Sequence, residues 1–327
     1  MKRLSNLCAM LLAISASLLS GTSGAQDAAP KPVTMIVPYA AGGPTDAVGR
    51  SLATAMAKAL KNSVDVSNVG GAGGTLGALK TAKSAPDGNT ILLNHIGQAT
   101  SAALYPKLMY DPVGDFEPIG LVVNVPMTLI ARNSLAPTTF KELVAYLAQA
   151  KDSAKIGNAG VGSASHLCGL LLLSHLNLAT QTIPFKGTGP ALASLEAGHV
   201  DVLCDQVSNT LPAIKAGKVK VFAVATKKRF DELPNVPTVA ENGVPGFEVI
   251  IWHALFAPKG TPKPVIDKLV AALQQALKDP GFKSRMSELG ADIVPADSAR
   301  PDALRSLLKA ETEKWAPIIK KAGVYAE

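Results

Sequence analysis

The usual marks of catalysis and of nucleic-acid binding are missing from this sequence. There is no Gly-Lys-Ser/Thr of a phosphate-binding loop, no Gly-x-Ser-x-Gly elbow and no His-Glu-x-x-His pair. The five histidines, His95, His166, His175, His199 and His253, show no metal-ligand spacing, so no metal site is expected. Aromatic residues make up only 5% of the chain and the longest basic run is Lys227-Lys228-Arg229, which excludes the cationic, aromatic-lined surface that nucleic acid needs. Charged residues are sparse at 17% against 47% hydrophobic, so a large core can be buried. Beyond the N-terminus no apolar run reaches spanning length, and the chain after it is expected to be soluble.

The N-terminus itself reads as an export signal. Met1-Lys2-Arg3 precede an apolar stretch over residues 7–19, and small residues follow up to Ala25. That stretch is shorter than the roughly 20 residues that cross a bilayer. Cleavage is expected after Ala25, which makes residues 1–25 a signal peptide and places the mature chain in the periplasm. The formal charge of +7 includes Lys2 and Arg3, so the mature form carries about +5, a mild imbalance. Of three cysteines, Cys8 lies inside the apolar stretch and is not placed for lipidation, while Cys168 and Cys204 remain after processing. In an oxidising compartment these two either form a disulfide or stay as buried thiols.

The rest of the chain repeats one pattern of strand, glycine-containing loop and helix. Strands are expected at 33–37, 64–69, 90–93, 155–158, 182–185 and 200–204, with helices over 47–60, 75–83, 166–173 and 190–197. Such alternation predicts α/β layers with mostly parallel strands. Two long apolar runs, 120–132 and 247–257, have no glycine loop in the middle. If the chain crosses between lobes along them, lobe 1 is discontinuous, made of 26–123 plus 250–327, and lobe 2 is 124–249.

In open α/β sheets ligands sit beyond the carboxyl ends of strands, where loop amides and helix N-termini favour an anion. The loops that qualify here contain Tyr39, Ala41, Gly42, Gly43, Thr45 and Asp46, then His95 and Gln98, then Asn158, Gly160, Gly162, Ser163, Ala164 and Ser165. Lys186, Gly187, Thr188 and Asp205 complete the candidate ligand-binding set. Glycines allow close backbone approach, and Thr45, Ser163, Ser165 and Thr188 add hydroxyl donors. Thr45, Asp46 and Ser165 also suit helix capping, which is compatible with binding. The run Gly71-Ala72-Gly73-Gly74-Thr75-Leu76-Gly77 approaches a dinucleotide fingerprint, but its last glycine falls one residue late and no acid follows at Leu93-Asn94. No cofactor and no catalytic residue are expected.

The run Ile36-Val37-Pro38-Tyr39-Ala40-Ala41-Gly42-Gly43-Pro44-Thr45-Asp46 resembles the first-strand signature of the Bug family of tripartite tricarboxylate transporter receptors. The likeness continues through Gly71-Ala72-Gly73-Gly74, Ala85-Pro86-Asp87-Gly88, Tyr110-Asp111-Pro112, Pro184-Phe185-Lys186-Gly187 and Leu233-Pro234-Asn235-Val236-Pro237-Thr238, and covers the whole expected mature chain. It implies a type II periplasmic-binding-protein fold with a venus-flytrap cleft and two crossover strands. It also implies carboxylate recognition by loop amides and hydroxyls, with the first-lobe loop at 39–46 and the second-lobe loop at 158–165. Two positions depart from the family pattern: Asn94-His95-Ile96-Gly97, and Cys204 where a bulky apolar residue is more usual.

The expected function is an extracytoplasmic solute-binding receptor for a small dicarboxylate or related organic acid. By resemblance its partners are that ligand and the membrane permease subunits of a tripartite tricarboxylate-type transporter, with the receptor acting as a monomer. Two other readings remain: a sensory binding protein working with a signalling partner, and an exported α/β enzyme using His95 or His166 as base.

Overall fold

The structure, a computed structural model, describes residues 31–323 and 325. The expected signal peptide, residues 1–25, lies outside the described residues. No helix among them is long and apolar enough to cross a membrane.

The first unit shows how sequence becomes architecture. β1 (Val33–Val37) is a β-branched run buried on both faces, as a central parallel strand should be. α1 (Pro44–Leu60) follows a short loop and buries Val48, Leu52, Ala53 and Met56 against the sheet. Gly49 sets how close it comes, because a Cβ there would stand 2.9 Å from Val37 Cγ2 and 3.2 Å from Leu93 Cδ2. The pattern repeats with β2 (Val64–Asn68) and α2 (Thr75–Ala82), then β3 (Thr90–Asn94) and α3 (Gly97–Leu104). β4 (Phe116–Arg132) is long and uninterrupted. After α4 (Phe140–Ala150), with its Thr139–Glu142 capping box, come β5 (Lys155–Asn158), α5 (Ala164–Leu176), β6 (Gln181–Pro184), α6 (Thr188–Glu196), β7 (Val202–Gln206), α7 (Val207–Lys215) and β8 (Val219–Val224). The chain returns through β9 (Ile250–Pro258) and closes with α8 (Lys263–Ala276), α9 (Pro280–Glu288), β10 (Asp292–Ile293) and α10 (Pro301–Ala322).

The strand order is β2-β1-β3-β9-β4-β7-β5-β6, with β8 and β10 also bonded to β4. Parallel pairing holds for β1 with β2 and β3, and for β5 with β6 and β7. The two long strands differ from the expectation of mostly parallel pairing. β9 runs antiparallel to β3 and β4, and β4 runs antiparallel to β7, β8 and β10. β9 follows β8 with no helix between them, and antiparallel pairing needs no crossover helix. β4 changes partner along its length, bonding β9 up to Pro126 and β7 from Met127. Element ends also moved. α1, α5 and α6 start two or three residues before their expected positions, and β7 ends at Gln206 rather than 204.

One hydrophobic cluster unites both halves of the sheet, from Met35 and Leu92 through Val125 to Leu167 and Phe256. A smaller one, with Ile130, Ala191, Leu195 and Leu203, lies under α6. Cys168 of α5 and Cys204 of β7 are joined as a disulfide, their Cα atoms 5.9 Å apart. The bond closes a loop over a sequence separation of 36, for which chain-entropy arguments give about 2–4 kcal/mol. Reducing the purified protein should expose two thiols and lower its unfolding free energy by about that amount, read as a shift of the urea midpoint. Free thiols in the unreduced, denatured protein would contradict the bond.

Candidate ligand-binding site

The expected site residues gather at the C-terminal ends of the parallel strands. Residues 38–43 leave β1 and enter α1 through Gly43, with Pro44 at the first helical position, where its missing N–H costs nothing. Thr45 and Asp46 therefore lie in the first turn of α1 rather than in the loop, and both are buried. The carboxylate of Asp46 accepts from the Gly42 amide at 2.8 Å, from Arg50 Nε at 2.9 Å and from Asn68 Nδ2 at 2.9 Å. Burial alone would raise its pKa, but the donors from Arg50, Gly42 and Asn68 together hold it below the ordinary value. Asp46 is thus turned into the protein, and it takes the Gly42 amide with it.

Behind this loop runs a buried polar chain. The Tyr39 hydroxyl donates to Asn94 Oδ1 at 3.0 Å, Asn94 Nδ2 donates to Gln98 Oε1 at 2.7 Å, and Gln98 Nε2 donates to the Pro112 carbonyl at 2.8 Å. Both ends of the Gln98 amide are therefore engaged within the protein. The His95 ring stacks under Tyr39, centroids 4.4 Å apart, and meets His253 edge-on at 5.8 Å. His95 Nδ1 accepts from the Gly97 amide at 3.1 Å, which assigns its proton to Nε2. His253, from β9, faces Thr45 Oγ1 at 3.2 Å. Burial pushes His253 down to about 4, and burial together with the neighbouring His253 holds His95 well below the ordinary histidine value. Burial likewise raises the Tyr39 hydroxyl well above 10.

The second group is built the same way. Asn158 Oδ1 accepts from the Gly160 amide at 2.9 Å, and His166 Nδ1 accepts from the Gly162 amide at 3.3 Å. Ser163 caps α5, its Oγ accepting from the His166 amide at 3.1 Å. His166 is brought down to about 4 by burial. Asp205 is fully buried; its Oδ1 accepts from the Gln206 amide and its Oδ2 from Asn209 Nδ2, both at 2.8 Å. Desolvation dominates there and pushes the carboxyl up to about 7.

Three of the expected glycine amides are engaged inside the protein. Gly42, Gly160 and Gly162 donate inward, to Asp46, Asn158 and His166. The first-turn amides of Thr45 and Asp46 in α1 and of Ala164 and Ser165 in α5 have no partner among the described residues. The two groups approach one another. A Cβ on Gly43 would lie 3.8 Å from Thr188 Oγ1. Tyr105 Oη donates to the Val161 carbonyl at 3.3 Å. Gly73, at φ 60°, fits between them, since a Cβ there would meet Tyr105 Oη at 2.5 Å and the Val161 carbonyl at 2.7 Å. Ala41 and Lys186 are exposed at the rim, and Gly187 is half-buried. Reading the sequence missed Tyr105, Asn94, Asn209 and His253; a histidine inside the apolar run of β9 was the one visible signal.

The chain matches the family model described as "Tripartite tricarboxylate transporter family receptor" over residues 48–324. It is 51% identical to a solved periplasmic binding protein, BugD, covering 90% of this chain and 99% of that one with a TM-score of 0.86. It is 41% identical to MatC from Rhodopseudomonas palustris, solved with bound malate, covering 89% and 99% with a TM-score of 0.85. A third structure, R. palustris Rpa4515 with adipate, is 30% identical, with coverage of 90% and 99% and a TM-score of 0.84. The type II periplasmic-binding-protein fold is therefore that of this chain.

The buried carboxyl of Asp205 gives a pH test of the site's electrostatics. Between its ordinary value of 3.8 and about 7 the folded protein keeps a proton that the unfolded chain has released. Stability is thus lost as pH rises through that window, at about 1.4 kcal/mol per pH unit. His166 and His253, about 4 in the fold against 6.5, act oppositely, their stability being lost as pH falls from 6.5 through 4. Asp205→Asn removes only the first effect. The stability of Asp205→Asn relative to wild type should rise by roughly 2–4 kcal/mol between pH 4 and pH 8 in urea titrations. A difference that stays flat would mean an ordinarily ionised Asp205.

Proposed function

We propose, from the premise that the chain belongs to the family of tripartite tricarboxylate transporter receptors, that it is an exported receptor enclosing a small dicarboxylate between two lobes. The observation that carries this is the pair of buried helix N-termini. First-turn amides of α1 and α5 have no partner among the described residues, the two groups of loops approach one another at Gly43–Thr188 and Tyr105–Val161, and the nearby guanidinium, Arg50, is committed to Asp46. A helix N-terminus holds an anion by unpaired amides and partial positive charge, so two of them suit a ligand carboxylated at both ends. The malate and adipate of the two related structures are of that class.

In this reading the lobes are residues 26–123 with 250–327, and 124–249. The change of partner along β4 at Pro126 and Met127 supports a division there. Ligand binding selects the closed arrangement, and the Tyr105–Val161 bond and the Gly43–Thr188 approach are contacts of that state. The receptor acts as a monomer in the periplasm, after cleavage at Ala25, and delivers its ligand unchanged to the permease subunits of a tripartite transporter.

A thermal-shift screen of the mature protein against C4 to C6 diacids, monocarboxylates and neutral sugars tests the class, because a ligand of the native state raises its melting temperature. Stabilisation by diacids is expected; a response to a sugar alone would overturn the reading. Thr45→Ala and Ser163→Ala should each weaken diacid binding by about 1–3 kcal/mol. Ser163→Ala should in addition lose about 1 kcal/mol of stability, since Ser163 caps α5. Calorimetric titrations with wild-type affinity in both variants would remove these loops from the site.

A further inference from the structure

Among the described residues four large apolar side chains stand out into solvent, Leu76, Met109, Val113 and Tyr325, at 46% to 69% exposed. Leu76, Met109 and Tyr325 line one groove of about 550 Å³ between α2 and the residues that follow α3. Its floor is anchored, since Leu79, Tyr105 and Leu108 pack on the main core and Tyr110 meets Phe116 edge-on at 5.8 Å. Single exposed apolar residues are ordinary, but a cluster of them marks a place where another molecule sits. None of the lining residues is acidic, and the charged one among them is Lys107. Its ammonium, like that of Lys80 one turn along α2 from Leu76, forms no ion pair among the described residues.

The groove abuts the place where the two groups of loops meet. Tyr105 lines it and donates to the Val161 carbonyl at 3.3 Å. Ala72 and Thr75 line it from either side of Gly73, whose missing Cβ leaves room for Tyr105 Oη and that carbonyl. In the two-lobed reading above, Gly73 and Tyr105 belong to one lobe and Val161 to the other. Opening the lobes breaks the Tyr105 bond and releases one wall, so the groove has this shape in the closed, loaded receptor. We propose that it is the surface by which the membrane subunits of a transporter recognise that state, and that its occupant is a subunit segment with an apolar face and an acidic residue beside it. The inference rests on the receptor reading of the preceding subsection. An apolar face fills the groove between Leu76 and Met109, a residue type that adapts to its partner, while the acid meets Lys107 and Lys80. A second copy of this chain is a poor occupant, because pairing about a two-fold axis would set this lysine-rimmed surface against itself with no acid to answer it. A small ligand is a poor one too: small-molecule sites bury most of their ligand, whereas Met109 is itself 69% exposed.

Uptake of radiolabelled succinate, malate and adipate by the native host tests this, with the receptor gene deleted and then restored as wild type or variant. Leu76→Glu, Met109→Glu and Lys107→Glu each place a carboxylate in the groove, and each should lower uptake at least about fivefold. The purified variants should keep the wild-type melting temperature and bind the diacid within about twofold of wild type. Val113→Glu, at an exposed apolar position outside the groove, should leave uptake at the wild-type rate. A photo-crosslinking residue at position 109 should form an adduct with an integral membrane protein, and only with the diacid present. Wild-type uptake in all the groove variants would overturn the inference and leave the receptor reading standing. So would an equal loss from Val113→Glu, loss of diacid binding by the folded groove variants, an adduct with a second copy of the chain or with lipid alone, or one that forms equally without the diacid. A deletion strain that takes up the diacids as fast as wild type would remove the transport reading and this inference with it.

Discussion

A carboxylate buried without a cationic partner has to be held by dipoles, and dipoles work only where nearby full charges are already neutralised. At the start of α1 the charge that could spoil such a site is Asp46, which lies in the very turn whose first amides have no partner among the described residues. Arg50, Asn68 and the Gly42 amide surround it. That arrangement turns the aspartate into an internal brace and cancels it against the Arg50 guanidinium. The consequence spreads outward. The 39–43 loop takes its shape from the Gly42 bond, and Asn68, which also donates to the Tyr39 carbonyl at 3.1 Å, ties the ends of β1 and β2 together.

The second half of the fold solves the same problem differently. Among the described residues Asp205 has no cationic partner, only the Gln206 amide and Asn209, so desolvation wins and pushes its carboxyl up to about 7. Four charges that might have faced a ligand, those of Asp46, Asp205, His95 and His166, are thereby paired, weakened or absent. What is left at the strand ends, inside the exposed Lys186 at the rim, is a set of neutral groups: first-turn amides and hydroxyls. Their placement depends on rigid support, supplied by the Tyr39–Asn94–Gln98–Pro112 chain on one side and by the disulfide between α5 and β7 on the other.

The sequence made the repeating unit legible because each unit is local: a β-branched run, a glycine loop and an apolar-striped helix lie next to one another in the chain. β1 and β5 fall where that reading puts them. The helix starts were less visible. Pro44 and Thr188 look like loop residues, yet proline at a first helical position and threonine after a glycine both begin helices, and this shift moves Thr45 and Asp46 from loop to helix. The destinations of the loop amides were not legible at all. Whether Gly160 donates to a ligand or to Asn158 is decided by a side chain two residues away in a turn that composition does not specify. His253 and Tyr105 meet the site only through the tertiary fold, from strand and helix ends 208 and 56 residues away from their partners.

The three histidines near the site bear on what kind of chemistry it supports. A general base is most effective with a pKa near the working pH. Burial holds His166 and His253 near 4 and His95 well below its ordinary value, so near neutral pH each is a fixed neutral ring. Of the two hydroxyl–imidazole contacts at the site, Tyr39 with His95 at 3.4 Å and Thr45 with His253 at 3.2 Å, the second sits in the core under the loop. There it orients the threonine, which an activated nucleophile would need only as a first step; the group that meets the His253 ring is another neutral ring, His95, in place of the carboxylate that would support an imidazolium. The same burial that weakens these side chains as bases makes them good scaffolding for neutral donors.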